Sequence, residues 1–224
     1  MEDYMKQERL SSADLIQNSA NRVPVCLCVD ASYSMLQDKR MEHVNNGIRQ
    51  FIHSSARDAY VCDSIDLCII TFSGRGVRVE QEFANVKKID GHYNDIQPNG
   101  GTPLGKAVRF ALDKIIRQRD SYEAYGITSY RPWLIIMSDG ASDDDVTVIA
   151  QEVRQMLQNR QIKVKCIGMG AESDFRDLAA FTLNGQVDNC GALEIENFFE
   201  FLSRSAAGLS KAQPGEEDSY DINV

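Results

Sequence analysis

Three short segments of the chain carry side chains that could bind a cation together: "DASYSM" (Asp30 to Met35), "GGTPLG" (Gly100 to Gly105) and "SDG" (Ser138 to Gly140). Between them Asp30, Ser32, Ser34, Thr102 and Asp139 offer carboxylate and hydroxyl oxygens, with no sulfur or imidazole. Hard oxygen donors select Mg²⁺, Mn²⁺ or Ca²⁺. In the alternation Asp-x-Ser-x-Ser every second side chain can point to one side, so one turn can supply a carboxylate and two hydroxyls to a single ion. Hydroxyls are neutral ligands. An ion held largely by them stays under-neutralised, keeps water in its shell and can take a carboxylate from a partner.

The middle segment also comes close to a phosphate-binding loop. "NGGTPLGKA" (Asn99 to Ala107) matches G-x-x-x-x-G-K-[ST] at Gly100, Gly105 and Lys106. Ala107 lacks the hydroxyl that would hold Mg²⁺, and Pro103 lacks the backbone N–H that such a loop must donate. "YNDIQP" precedes it where an apolar strand would be needed. The segment is therefore expected to bring a glycine-rich backbone close to an ion. Thr102 is placed as helix N-cap and Pro103 as the first helical residue.

For these segments to meet, each must sit at the tip of a core element. "VPVCLCVD" (Val23 to Asp30), "IDLCIITF" (Ile65 to Phe72), "PWLIIMSDG" (strand to Met137) and "IKVKCIGMG" are near-continuous apolar runs, the pattern of strands buried on both faces. "VRVEQEF" (Val77 to Phe83) alternates with period two. It follows a connection too short for a crossover, so it should be an antiparallel edge strand. Helices are expected at Met41 to Arg57, Pro103 to about Arg119, from "SDDD" (Ser142 to Asp145) to about Asn159, Ser173 to Phe181, and Ile195 to Leu209, with a weak strand near Val187. The insert "SYEAYGITSY" (Ser121 to Tyr130), with three tyrosines, is expected at the opposite edge of the sheet, at the entry to a strand, as an ordinary loop or a second contact surface. The fold class is α/β: a Rossmann-like, doubly wound, mostly parallel sheet with one antiparallel edge strand and helices on both faces. Such sheets bind ligands beyond the carboxyl ends of the strands, where the strand order reverses.

A formal net charge of −9 disfavours a nucleic-acid binder and suits cations or basic partners. No run approaches the ~20 apolar residues of a membrane span, and the first residues have no apolar leader, so a cytoplasmic protein without membrane insertion is expected. The six cysteines then read as reduced thiols, mostly small buried hydrophobes. The expected organisation is an N-terminal extension (1–22), one domain (23–209) and an acidic tail (210–224). His43, His53 and His92 are scattered, so no general base is indicated and no enzymatic activity is expected.

From about Pro24 to Gly208, "DASYSM … GGTPLG … SDG" resembles the von Willebrand factor type A (VWA) family and its metal-ion-dependent adhesion site (MIDAS), whose pattern is Asp-x-Ser-x-Ser, a distant Thr and a distant Asp. The resemblance implies that Ser32, Ser34 and Thr102 contact a divalent cation, most simply Mg²⁺. Asp30 and Asp139 would contact it directly or through water, and an Asp or Glu of a protein partner would complete the shell. Tyr33 replaces a common glycine; with Gly101 and Asp143 it is expected on the partner-binding rim. Without a secretory or disulfide pattern, the chain is similar to the bacterial TerY-like subgroup. That implies a tellurite-resistance or stress setting, with a metal-dependent protein phosphatase and a Ser/Thr kinase as partners. The competing readings are a subunit of an ATP-driven remodelling complex and a metal-dependent phosphotransferase. The second would need Asp where Ser32 stands.

Overall fold

The apolar runs fold as parallel strands because each can bury both faces only between layers of helix. The computed structural model describes residues 18, 20–170, 174–209 and 222. The expected extension, the acidic tail and Ser173 lie wholly or largely outside these. In chain order the elements are β1 (Val23–Asp30), a 3-10 segment (Tyr33–Lys39), α1 (Arg40–Arg57), β2 (Ile65–Ser73), β3 (Gly76–Asn85) and α2 (Val86–Ile89). There follow α3 (Leu104–Ala124), β4 (Trp133–Ser138), α4 (Thr147–Gln158), β5 (Lys163–Met169), α5 (Arg176–Ala179), β6 (Asp188–Cys190) and α6 (Ala192–Leu209).

The six strands form one sheet in the order β3-β2-β1-β4-β5-β6, with β3 antiparallel at one edge and the others parallel. Alternation along β1 divides the core. Val23, Val25, Leu27 and Val29 face α1 and α6, while Cys26 and Cys28 face α3 and α4. Gly47 of α1 lies under the Phe199 ring of α6, which occupies the place a Cβ would take, so glycine lets that ring seat directly against the α1 backbone. All six cysteines are free thiols, and only Cys190 is not fully buried. Among the described residues no helix is long and apolar enough to cross a membrane.

Several boundaries differ from the sequence reading, each for a local reason. Helix α3 runs on to Ala124 and absorbs the start of the expected loop, because Tyr122 is a buried anchor whose hydroxyl donates to Asp66 (2.7 Å). The rest of that insert does lead into β4. As expected, it lies at the end of the sheet opposite the strand tips that carry the site, bridging Ser129 to Arg22 just before β1. Ser142 to Asp145 do not open a helix; α4 begins at Thr147, whose N–H is capped by Asp145 (2.8 Å). The short helix after β5 is Arg176–Ala179.

Candidate functional site

Strand order reverses between β1 and β4, which pair in parallel with Val29 opposite Met137. Their carboxyl ends therefore place Asp30, the last residue of β1, beside Ser138, the last of β4, and Asp139 just beyond it. The Ser138 hydroxyl donates to Asp30 Oδ2 (2.6 Å), and the Ser32 backbone N–H donates to Asp30 Oδ1 (2.8 Å). Ser32 Oγ and Ser34 Oγ are 2.8 Å apart, and Ser34 Oγ donates to Asp139 Oδ1 (2.8 Å). One hydrogen-bonded chain of oxygens thus links Ser32, Ser34 and Asp139, with Asp30 fixed beneath it.

The third segment joins through its backbone. Tyr33 N–H donates to Gly100 O (3.1 Å), Asn99 N–H donates to Ala31 O, and Gly74 N–H donates to Asn99 O (2.9 Å). Gly100 has φ +70°, and a Cβ there would fall 2.7 Å from Gly74 Cα, so only glycine allows the two loops to lie this close. Thr102 follows two residues later in the same loop. Its side chain does not cap α3, contrary to the sequence reading: Pro103 occupies the N-cap and Leu104 opens the helix. Asp144, from the loop after β4, takes over the capping. Its two oxygens accept from Gly105 N–H (2.7 Å) and Lys106 N–H (2.9 Å). This arrangement satisfies orphan amides at the positive helix end. Among the described residues Thr102 Oγ1 makes no hydrogen bond.

Of the expected rim residues, Tyr33 is 61% exposed. Gly101 packs against the Asp143 carboxylate, which accepts the Thr102 N–H, and the Asp143 N–H donates back to Thr102 O (2.9 Å). Asp143 is thus a clamp on the Thr102 loop as well as an exposed acid.

Two groups at the site were not singled out in the sequence. Ser138 had a weak signal, being the first residue of "SDG". Arg40 had none. It opens α1, yet its Nη1 donates to Asp139 Oδ2 (2.9 Å) across 99 positions of chain, with side-chain exposures of 12% and 2%. Asp139 therefore has one oxygen on Ser34 and the other on a guanidinium.

The donor set fits a small divalent cation. Neighbouring corners of an octahedron with bonds of about 2.1 Å lie about 3 Å apart, and the Ser32, Ser34 and Asp139 oxygens follow one another at 2.8 Å. Burial pushes the Asp30 carboxyl up to about 6, with the Asp139 charge adding to the rise and the bonds from Ser138 and Ser32 opposing it. A buried carboxylate so disfavoured as an anion is one that a cation would relieve. No cluster of His, Cys, Asp and Glu suited to a metal occurs among the described residues, so any such site here depends on hydroxyls.

The chain matches the family model of the von Willebrand factor type A domain over residues 25–204. No curated protein matches it in sequence. Among solved structures it is similar to proximal thread matrix protein 1 from the mussel byssus, at 14% identity and a TM-score of 0.63 over 85% of this chain and 47% of that one. A further structure of that protein, with a zinc-occupied MIDAS motif, is 17% identical with a TM-score of 0.60, over 85% of this chain and 49% of that one. A von Willebrand factor type A protein from Catenulispora acidiphila gives 14% identity and a TM-score of 0.63, over 84% of this chain and 43% of that one. The SpRpn10 VWA domain gives 11% and 0.59, over 81% of this chain and 95% of that one. The chain spans about half the length of the mussel protein chains it matches.

Proposed function

Because the chain belongs to the von Willebrand factor type A domain family, whose members are commonly metal-dependent protein-interaction modules, we propose that it captures an acidic residue of a partner protein through a divalent cation. The observation that supports this most directly is the run of oxygens from Ser32 through Ser34 to Asp139 at the reversal point of the sheet. Ser32, Ser34 and Thr102 would hold the cation, with Asp30 and Asp139 supplying charge. When bound, the cation offers a Lewis-acid position to a carboxylate from outside.

The chain's own residues do the rest. Ser138 and the Ser32 N–H fix both oxygens of Asp30. Asp143 and Asp144 tie the Thr102 loop and the start of α3 to the loop after β4, leaving Thr102 Oγ1 outside the cap. Mg²⁺ is the proposed ion, with Mn²⁺ or Ca²⁺ also compatible with oxygen donors. The reading is a non-enzymatic one, since Ser32 stands where a phosphotransferase would need a carboxylate acid. A cytoplasmic, TerY-like placement beside a metal-dependent phosphatase and a Ser/Thr kinase is the finer part of the proposal and rests only on the sequence pattern without disulfides. A subunit role in an ATP-driven assembly would use the same site.

Mg²⁺ binding by calorimetry, and capture of partners with and without chelator, test the proposal. Thr102→Ala and Ser32→Ala are expected to abolish metal-dependent capture while circular dichroism stays native, because both side chains lie at the rim of the sheet. Capture that persists in chelator, or in both variants, overturns it.

A further inference from the structure

An open groove of about 360 Å³ adjoins the site, and its lining includes Ala31 and Asn99, residues of the two loops that build the site itself. Four charged side chains face it: Arg75, Arg78, Glu80 and Asp95. Three of them are engaged. Asp95 pairs with Arg49, and Glu80 accepts the Thr71 hydroxyl (2.8 Å) and lies 3.9 Å from Arg78 Nε. Arg75 differs. In the amide orientation that satisfies both groups, its Nε (3.0 Å) and Nη2 (3.2 Å) donate to the side-chain oxygen of Asn99. No carboxylate pairs with it among the described residues.

Asn99 is itself held on both sides, its N–H by Ala31 O and its carbonyl by Gly74 N–H. The Arg75 guanidinium is therefore anchored to the loop that carries Thr102. Its remaining N–H groups are left for a ligand in a groove whose lining shares Ala31 and Asn99 with the loops of the cation site. A planar guanidinium with free donors is suited to a carboxylate taken in two-pronged fashion.

We infer that Arg75 and this groove form a second pocket of the partner site, which receives a second carboxylate from an extended acidic segment whose first carboxylate meets the cation. This rests on the function proposed above. It narrows the partner from any exposed acid to a segment carrying two, a few residues apart. At about 3.3 Å per residue, acids separated by one to three residues of extended chain stand roughly 7 to 13 Å apart. The Arg75 guanidinium, which no carboxylate among the described residues neutralises, also gives such a segment a defined approach on a protein whose net charge is −9.

The test uses fluorescein-labelled Gly/Ser hexapeptides bearing one Asp, or two Asp separated by one, two or three residues, titrated by anisotropy in millimolar Mg²⁺. In the native chain the best two-Asp peptide should bind about three- to tenfold more tightly than the one-Asp peptide, the range expected for a partly exposed charged pair. Arg75→Gln should erase that advantage, leave one-Asp binding unchanged, and leave the Mg²⁺-induced rise in melting temperature intact. If one-Asp binding is Mg²⁺-dependent but the second Asp adds nothing, or adds as much in Arg75→Gln, this inference fails and the metal-dependent function stands. If no peptide binds in Mg²⁺, both fail.

Discussion

At the scale of single residues, the unexpected group is Arg40. Its guanidinium satisfies one oxygen of Asp139 where a cation would draw on the same charge. In the absence of metal, Arg40→Gln leaves a nearly buried carboxylate with less compensation. The cost should be about 1–2 kcal/mol, below the ~3–5 of a fully enclosed pair, because Arg40 keeps some contact with solvent. For a chain of this size that corresponds to a fall of roughly 2–8 °C in melting temperature. With millimolar Mg²⁺ the loss should shrink, because the cation neutralises Asp139 and no longer has a fixed positive charge beside it. Thermal melts in chelator and in Mg²⁺ check this, and an equal loss in both would show that Arg40 and the cation do not share Asp139. The residue scale also shows what the sequence can and cannot reveal. Asp30, Ser32 and Ser34 were legible because their spacing is local and their chemistry uniform. Arg40 was invisible because its partner lies on another strand tip, and nothing in its neighbours marks it.

Among the elements, strand assignments and the antiparallel edge were legible because a strand buried on both faces has few sequence alternatives to an unbroken apolar run. Helix starts were not. Thr102 before Pro103 has the residue types of a cap, yet Asp144 from a distant loop reaches Gly105 and Lys106 first, leaving the local candidate without that role. The same loops yield a prediction about glycine. Gly100 and Gly126 have similar positive φ angles, +70° and +65°, but a Cβ on Gly126 would meet nothing within 4 Å. Gly126→Ala should therefore cost only the left-handed strain of about 1–2 kcal/mol. Gly100→Ala carries the same strain and also drives Cβ against Gly74, pushing the Thr102 loop away from Tyr33. It should lower the melting temperature further and weaken Mg²⁺-dependent peptide capture, which Gly126→Ala should spare. Equal melting losses with capture intact in both would mean that the loop contact does not position the site.

On the scale of the whole molecule, the sheet separates two polar centres that sit at opposite ends of its middle strands. At the amino end, Arg22 and Asp66 form a buried ion pair (3.3 Å), completed by the Tyr122 hydroxyl on Asp66. Burial, with the Asp66 charge beside it, pushes the Tyr122 phenol well above its usual range, so it remains a donor. At the carboxyl end lie Asp30, Ser138 and the oxygens above them. The eight residues of β1 put about 25 Å between the two centres, and the apolar core fills the interval. Effects at sites this far apart, with no shared partner, should add. Tyr122→Phe removes a hydrogen bond to a buried carboxylate, worth about 1.5–3 kcal/mol, and should lower the melting temperature by several degrees. The Mg²⁺-induced rise, which follows RT ln(1 + [L]/Kd) for a ligand of the native state, should match that of the native chain. Thr102→Ala should do the opposite, removing the rise at little cost to the metal-free fold. In the double variant both effects should appear undiminished. If Tyr122→Phe instead weakens Mg²⁺ binding in calorimetry, the strands transmit strain from one end of the sheet to the other, and the cation site is not the independent unit that its local hydrogen bonding describes.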